Sequence, residues 1–340
     1  MKSDALEEAA AFAETLGAPA YQQTCPYGAH FLSERATFMG ALSRDQKQVR
    51  SVLEPYDLMI VVGADVLRMS VWSETDPMPP GLSHVQIGLV DWEMGKNYSP
   101  EMAILADVRE TLAALIPVLR RKGGAALEAR AKAAVAALAD KNWSARRAKL
   151  KTQIDAAPPG KPIAPDWMTL RIAEALPKDA IVVNEGLTSA RLINDLVPYR
   201  DRYSFHGLAS GGIGWGIAAA VGVQIAHPDR RVVAVIGDGS AMYSVQALWT
   251  AAHLKLPLTY IICNNGGYRI IKQRLLAFHG NDQFIGMDFK DPAIDWVGLA
   301  SSMGVTATRV TDPDQLKPAL EAALANPGPN LLDVVVDGKV

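Results

Sequence analysis

Apolar residues along this chain gather into short runs set apart by polar turns, and the spacing within the runs alternates between a strand period and a helix period. In the first third the pattern predicts a helix over Ala5 to Leu16, a strand over Ala18 to Thr24, and a helix from Asp45 to Leu53. The strand Asp57-Leu-Met-Ile-Val-Val62 then runs into the turn Gly63-Ala-Asp65. Strands at His84 to Val90 and Met102 to Leu105 follow, and a helix from Val108 to Arg120 closes the stretch. Such alternation is the order of an open parallel sheet covered by helices.

Residues 123–165 read as a linker: an Ala, Lys and Arg-rich helix to about Leu150, then Ala156-Ala-Pro-Pro-Gly-Lys-Pro-Ile-Ala-Pro165, which proline keeps from continuing as helix. From residue 166 to residue 340 β-branched runs return at Ile181 to Asn184, Arg231 to Ile236, Leu258 to Cys263 and Leu331 to Val336, with a helix at Pro313 to Ala325. The expected fold class is α/β, with two doubly wound parallel-sheet domains, one over residues 1–122 and one over residues 166–340.

The chemistry concentrates in the second domain. Gly237-Asp238-Gly239-Ser240 ends one buried-type strand and Asn264-Asn265 ends the next, while Ala241 to Leu254 between them has helical length, with Tyr243, Leu248, Ala251 and Leu254 at helical spacing. This is a βαβ unit, whose right-handed crossover brings the carboxyl ends of both strands to one crevice. Asp238 offers an anionic oxygen and Asn265 a neutral one, a pair suited to a hard cation such as Mg2+. Gly237 and Gly239 let a bulky anion approach the backbone, and a helix opening near Ser240 presents unpaired N–H groups to it. A metal with a diphosphate is the economical reading.

Composition narrows the class. With 340 residues, 49% of them hydrophobic, the chain can bury two cores. A net charge of −2 leaves no basic footprint for nucleic acid, and Arg120-Arg121-Lys122 and Arg146-Arg147-Ala-Lys149-Leu-Lys151 read as coats on exposed helix faces. No apolar run reaches the roughly 18 residues of a membrane span, and the N-terminus is too polar for a signal peptide, so a cytoplasmic protein without membrane contact is expected. Cys25 and Cys263, with no CxxC, read as core thiols that form neither disulfide nor zinc site.

Four words stand in order across about eighty residues: Asn184-Glu-Gly-Leu-Thr-Ser189, Gly211-Gly-Ile-Gly-Trp-Gly216, Gly237-Asp-Gly-Ser-Ala-Met-Tyr243 and Asn264-Asn-Gly-Gly-Tyr268. Together they resemble the thiamine diphosphate motif of the 2-oxo acid decarboxylase and acetolactate synthase superfamily, and within it the benzoylformate decarboxylase group. The resemblance implies thiamine diphosphate and Mg2+ as cofactors and a small 2-oxo acid as substrate, decarboxylated non-oxidatively through a thiazolium enamine. It makes residues 1–122 a truncated Rossmann-like central domain and residues 166–340 the diphosphate-binding domain.

The same resemblance assigns Asp238 and Asn265 as side-chain metal ligands and Gly267 as a carbonyl ligand. Leu187, through its backbone, and Thr188, Ser240 and Tyr243 approach the diphosphate, while Gly212, Gly237, Gly239 and Tyr268 belong to the cofactor-binding words. The Gly211 carbonyl accepts from the aminopyrimidine, and Ile213 wedges between the two rings. Glu185 either faces the reactive ring or is an ordinary strand-end carboxylate, and His206 and His279 are proton-relay candidates. Ile270 and Ile271 line the cofactor and substrate pocket, with Lys272 and Arg274 available to neutralise a substrate carboxylate.

Two departures qualify the resemblance. The family's first central strand and its pyrimidine-binding domain, with the glutamate that protonates the pyrimidine, belong upstream of residue 1, and Glu7 and Glu8 read instead as a solvated helix face. Where the benzoylformate group carries a histidine after the Gly-Ala turn, the chain reads Asp65-Val-Leu-Arg-Met-Ser70, and a serine does not titrate near neutrality. The expected function is therefore the cofactor-binding subunit of a split enzyme, completed by a partner polypeptide that carries the pyrimidine-binding domain, within an oligomer. An acetolactate synthase-like carboligase and a non-catalytic scaffold or regulatory subunit are the alternatives.

Overall fold

The computed structural model describes residues 3–23, 27–69 and 73–340. The chain divides into two compact units, Met1–Ala148 with Pro198–Arg202, and Lys149–Val197 with Tyr203–Val340. Among the described residues no helix is long and apolar enough to cross a membrane.

The first unit is built from α1 (Leu6–Leu16), β1 (Ala20–Gln22), β2 (Phe38–Ala41), α2 (Gln46–Leu53), β3 (Leu58–Val62), β4 (Ser83–Gly88), β5 (Met102–Leu105) and α3 (Val108–Ala136). Strands β3, β4 and β5 form one parallel sheet, and β1 pairs in parallel with β2 in a separate one. Asp45 stands outside α2 as its cap, its carboxylate accepting from the N–H groups of Lys47 and Gln48 at 2.9 and 3.1 Å. Ile60, Val62, Ile87 and Ile104 from the larger sheet pack with Phe12, Phe38, Leu112 and Trp143 in one core. On α1, Glu7 pairs with Arg35 and Glu8 with Arg109 at 3.0 Å, which suits a solvated helix face. Cys25 and Ser70 lie outside the described residues.

Helix α3 continues past Arg120 to Ala136, with a kink at Gly124 (φ 52°). Leu127 and Ala131 on its second half are buried, and Gly17 (φ 68°) at the end of α1 comes so close that an added Cβ would sit 2.7 Å from Ala131 Cα. Residues 123–148, which the sequence assigns to a linker, therefore belong with the first unit, and the boundary falls within α4 (Trp143–Ala156). The small side chains that blur the apolar stripe are the ones that permit this close helix contact. The excursion 198–202 is tied into the same unit by Tyr199, which exchanges hydrogen bonds with Ser33 at 3.0 Å.

The second unit contains α5 (Pro165–Ala175), β6 (Ile181–Glu185), α6 (Ile193–Leu196), β7 (Phe205–Gly207), α7 (Gly216–Ala226), β8 (Val232–Gly237), α8 (Asp238–Ala241), α9 (Ala247–His253) and β9 (Leu258–Asn264). It is completed by α10 (Arg269–His279), α11 (Trp296–Ser302), β10 (Thr306–Val310), α12 (Pro313–Ala325) and β11 (Asn330–Val335). All six strands are parallel, in the order β10-β11-β9-β8-β6-β7. Every residue of β8 is buried, as the continuous apolar run Val232 to Ile236 requires of a strand covered on both faces. The chain steps from β6 outward to β7 and then back across to β8. Strand order thus reverses between β6 and β8, and a crevice opens beyond their carboxyl ends.

The single helix expected over Ala241 to Leu254 is broken into α8 and α9. Tyr243 and Ser244 bond to carbonyls three residues back, at Ser240 and Ala241, and the Ser244 hydroxyl donates to the Gly214 carbonyl at 2.5 Å. That side-chain contact pulls the segment out of the regular ladder. Leu248 and Ala251 still anchor α9 in the core with Ile236, Tyr260 and Trp296, whereas Tyr243 and Leu254 are exposed. Leu248→Ala is expected to destabilise the second unit by about 2–5 kcal/mol, read as a displaced urea transition. A loss below about 1 kcal/mol would contradict this packing.

Candidate functional site

Three parallel strands deliver the site. Strand β6 ends in Glu185-Gly186-Leu187, β8 in Gly237-Asp238, and β9 in Asn264-Asn265, with Glu185 in register with Ile236 and Gly237 with Cys263. The crossover reading thus brings Asp238 and Asn265 to one sheet end.

Asp238 is almost wholly buried, at 1% exposure. Its Oδ1 accepts from the N–H of Gly239 at 2.8 Å, and its Oδ2 from the N–H groups of Gly266 and Gly267 at 2.7 and 3.2 Å. Desolvation raises its pKa to about 6, against the opposing pull of these backbone donors. Asn265 is oriented from both ends: its Nδ2 donates to Ser189 Oγ at 3.1 Å, and its Oδ1 accepts from Gly267 N–H at 3.2 Å. The Gly267 carbonyl accepts from Arg269 N–H at 3.0 Å, which leaves it a second lone pair.

These residues fit a hard cation. One carboxylate, one amide oxygen and one peptide oxygen are the donors that suit Mg2+, and a dication beside Asp238 would offset the desolvation that raises its pKa. Among the described residues no group of three or more His, Cys, Asp or Glu is gathered that could hold a metal. Cys263 is a free, buried thiol whose pKa is raised by burial.

The crevice also fits an extended anion. Gly186 has right-handed helical dihedrals and Leu187 follows at φ 45°, an alternation that turns successive N–H groups toward one side; the Gly186 N–H is held by Asn184 Oδ1 at 3.0 Å, which leaves those of Leu187 and Thr188. A leucine in that left-handed region is strained by about 1–3 kcal/mol, and it stands at the point where strand order reverses. Thr188 and buried Ser189 follow in the same short turn, and buried Ser240 lies in α8 just after Asp238. Gly239 could not be larger, because a Cβ there would come within 2.8 Å of the Tyr268 ring.

Glu185, for which the sequence leaves open a contact with the reactive ring or an ordinary strand-end place, is engaged by the backbone of the glycine word. Its Oε1 accepts from Gly214 N–H at 2.6 Å and its Oε2 from Gly216 N–H at 2.7 Å, so both oxygens hold the end of the glycine word. Burial raises its pKa while these amides oppose the rise. Gly214 (φ 92°) and Gly216 are obligatory here: an added Cβ would lie 2.2 Å from Tyr243 Cβ at the first and 2.8 Å from Glu185 Oε2 at the second. Gly211, Gly212 and Ile213, just upstream, form an exposed loop.

The remaining candidates spread out. His206 is on β7, in register with Val183 and two residues short of the level of Glu185. Ile270 and Ile271 occupy the first turn of α10, close in sequence to Gly267, whereas His279 ends the same helix about 13 Å further along its axis. Lys272 is tied to Asp288, and Arg274 lies against the Phe278 ring at 5.7 Å. Sequence reasoning passed over Ser189, Asn264, Gly214 and Gly216. All four lie inside the four words, and their roles depend on hydrogen bonds between segments far apart in sequence.

Residues 1–115 match the family model for the thiamine pyrophosphate enzyme central domain, and residues 188–334 match that for the C-terminal TPP binding domain. A benzoylformate decarboxylase from Pseudomonas aeruginosa is 31% identical over 322 residues, which cover 95% of this chain and 56% of that protein. An acetolactate synthase large subunit from Parasynechococcus marenigrum is 29% identical over 282 residues, 82% of this chain and 43% of that protein. The solved structure of the Rhodococcus jostii RHA1 thiamine diphosphate-dependent 4-hydroxybenzoylformate decarboxylase superposes with a TM-score of 0.80 at 28% identity, covering 98% of this chain and 58% of that one. The chain spans about half the length of the relatives it matches. It belongs to the thiamine pyrophosphate enzymes, of which it carries the central and the C-terminal, cofactor-binding domains.

Proposed function

We propose that this chain binds thiamine diphosphate through Mg2+ and serves the non-oxidative decarboxylation of a small 2-oxo acid. The observation that carries the reading is the buried Asp238 carboxylate, set beside an oriented Asn265 amide at the point where strand order reverses. Asp238, Asn265 and the Gly267 carbonyl would hold the cation, and Leu187, Thr188 and Ser240 the diphosphate. Bound there, the cofactor would supply a nucleophilic carbon and an electron sink for the pair left behind when carbon dioxide departs. Glu185 positions the glycine word, so that the Gly211 carbonyl and the Ile213 side chain can meet the two rings. Ile270 and Ile271 wall the pocket, and His206 remains the candidate for moving a proton.

The pyrimidine-activating glutamate is no part of this site, and we assign it to polypeptide outside these 340 residues. Its supply by a partner chain in an oligomer is part of the proposal. The likeness to acetolactate synthase large subunits favours a second reading, in which another carbonyl compound rather than a proton captures the product carbon. Product analysis with paired 2-oxo acids separates the two.

Carbon dioxide release from 2-oxo acids should require this chain together with the polypeptide that carries the pyrimidine-binding domain. Equal activity of the chain alone would overturn the split arrangement. Proton competition gives a further test. Cation binding needs the ionised form of Asp238, whose pKa of about 6 is above the ordinary carboxylate value. Affinity should therefore be full above that pH and fall as pH drops through it, by about tenfold between pH 7 and pH 5 beyond the change in free diphosphate's own Mg2+ affinity. Calorimetric titration across that range checks the sign, and a flat profile would contradict it.

A further inference from the structure

A third carboxylate is buried in this domain besides those of Asp238 and Glu185, and no role is assigned to it above. Asp333 sits within β11, in register with Ile262 on β9 and Arg309 on β10, and is fully buried. It shares its side of the strand with Leu331, on the face that packs Tyr260, Ile262 and Trp296 into the core. Its Oδ1 accepts from Asn264 Nδ2 at 2.8 Å, and its Oδ2 lies 3.6 Å from Arg309 Nη1 with no hydrogen bond. Burial raises its pKa, opposed by Asn264 and Arg309. A charge placed so deep with one hydrogen bond contributes little to stability, and an apolar residue of similar volume would often serve the fold as well or better.

The partner of Asp333 suggests what it does. An ionised carboxylate only accepts, so it fixes which end of the Asn264 amide faces it. With Nδ2 turned to Asp333, Asn264 Oδ1 points to the turn and accepts from Gly266 N–H at 3.2 Å. That same N–H donates to Asp238 Oδ2 at 2.7 Å, and Gly266, at φ 72°, redirects the chain between Asn265 and Gly267. A reversed amide would set the Asn264 NH2 against the Gly266 N–H, two donors face to face.

We propose that Asp333 is a positioning residue for the cation site: through the Asn264 amide it locks the Gly266 turn that aims the Asn265 side chain and the Gly267 carbonyl. The proposal rests on the reading of Asp238 and Asn265 as the cation site. It explains why an aspartate interrupts the apolar run Leu331 to Val336.

The test compares the full chain with Asp333→Leu and Asp333→Asn. In the ligand-free protein, hydrogen exchange at the amides of residues 265–267 should be about tenfold faster in Asp333→Leu, with exchange in the neighbouring strands and the melting temperature unchanged or improved. Thiamine diphosphate binding in the presence of Mg2+ should weaken about tenfold. Asp333→Asn, whose amide oxygen can still accept from Asn264 Nδ2, should recover most of both properties. Unchanged exchange in Asp333→Leu, or an equal loss in Asp333→Asn, would overturn the proposal. Should Asp333→Leu fail to fold, Asp333→Val, which removes the same acceptor with a strand-favouring side chain, carries the test: faster turn exchange supports the proposal and unchanged exchange overturns it. Failure of the unaltered chain to bind Mg2+ and thiamine diphosphate would instead strike the cofactor reading, while exchange in the ligand-free protein still decides the role of Asp333.

Discussion

The arrangement at the sheet end depends on keeping one carboxylate, that of Asp238, out of water. Three glycine N–H groups close on it, Gly239 from its own strand end and Gly266 and Gly267 from the next, and the backbone of Asn265 adds to them. These contacts link the β8 and β9 ends into one object, yet burial still raises the carboxyl's pKa to about 6. A site that leaves an anion under-compensated in this way is prepared for a cation. The constraint explains the glycines better than flexibility does, because the Gly239 Cα must pass beneath the Tyr268 ring and Gly267 must pass the Met287 carbonyl.

A second carboxylate does comparable work on the other side of the crevice. Glu185 joins the end of β6 to the start of α7 through the amides of Gly214 and Gly216. Ser244 adds a bond from the α8–α9 connection to the carbonyl of Gly214. The loop carrying Gly211 and Ile213 is thus fixed at its downstream end and exposed along the rest, a state suited to a segment that packs against a ligand.

Much of this was legible in the chain. The apolar runs of β6, β8, β9 and β11 lie within about one residue of their predicted places, and α12 matches in full, because buried parallel strands and a proline-started helix leave strong local signals. The pairing of Asp238 with Asn265 followed from topology. What escaped detection depends on contacts distant in sequence. β2 and β7 are too short to show a period, and the Ala-rich helix expected after residue 123 is present but belongs to the first unit through its close approach to Gly17, which no apolar stripe announces. The break between α8 and α9 follows from one hydroxyl reaching Gly214. Glu185 and Ser189 were visible as residues, but their partners, Gly214, Gly216 and Asn265, are revealed only by the folded sheet.

The central claim is that Asp238 converts a buried sheet end into a cation-dependent diphosphate site. Calorimetric titration of the full chain with thiamine diphosphate, with and without Mg2+, and of Asp238→Ala alongside it, tests the claim most directly. The account predicts saturable binding by the unaltered chain only when Mg2+ is present, and none by the variant at the same concentrations. Binding that ignores Mg2+, or that survives the loss of the Asp238 carboxylate, would contradict it.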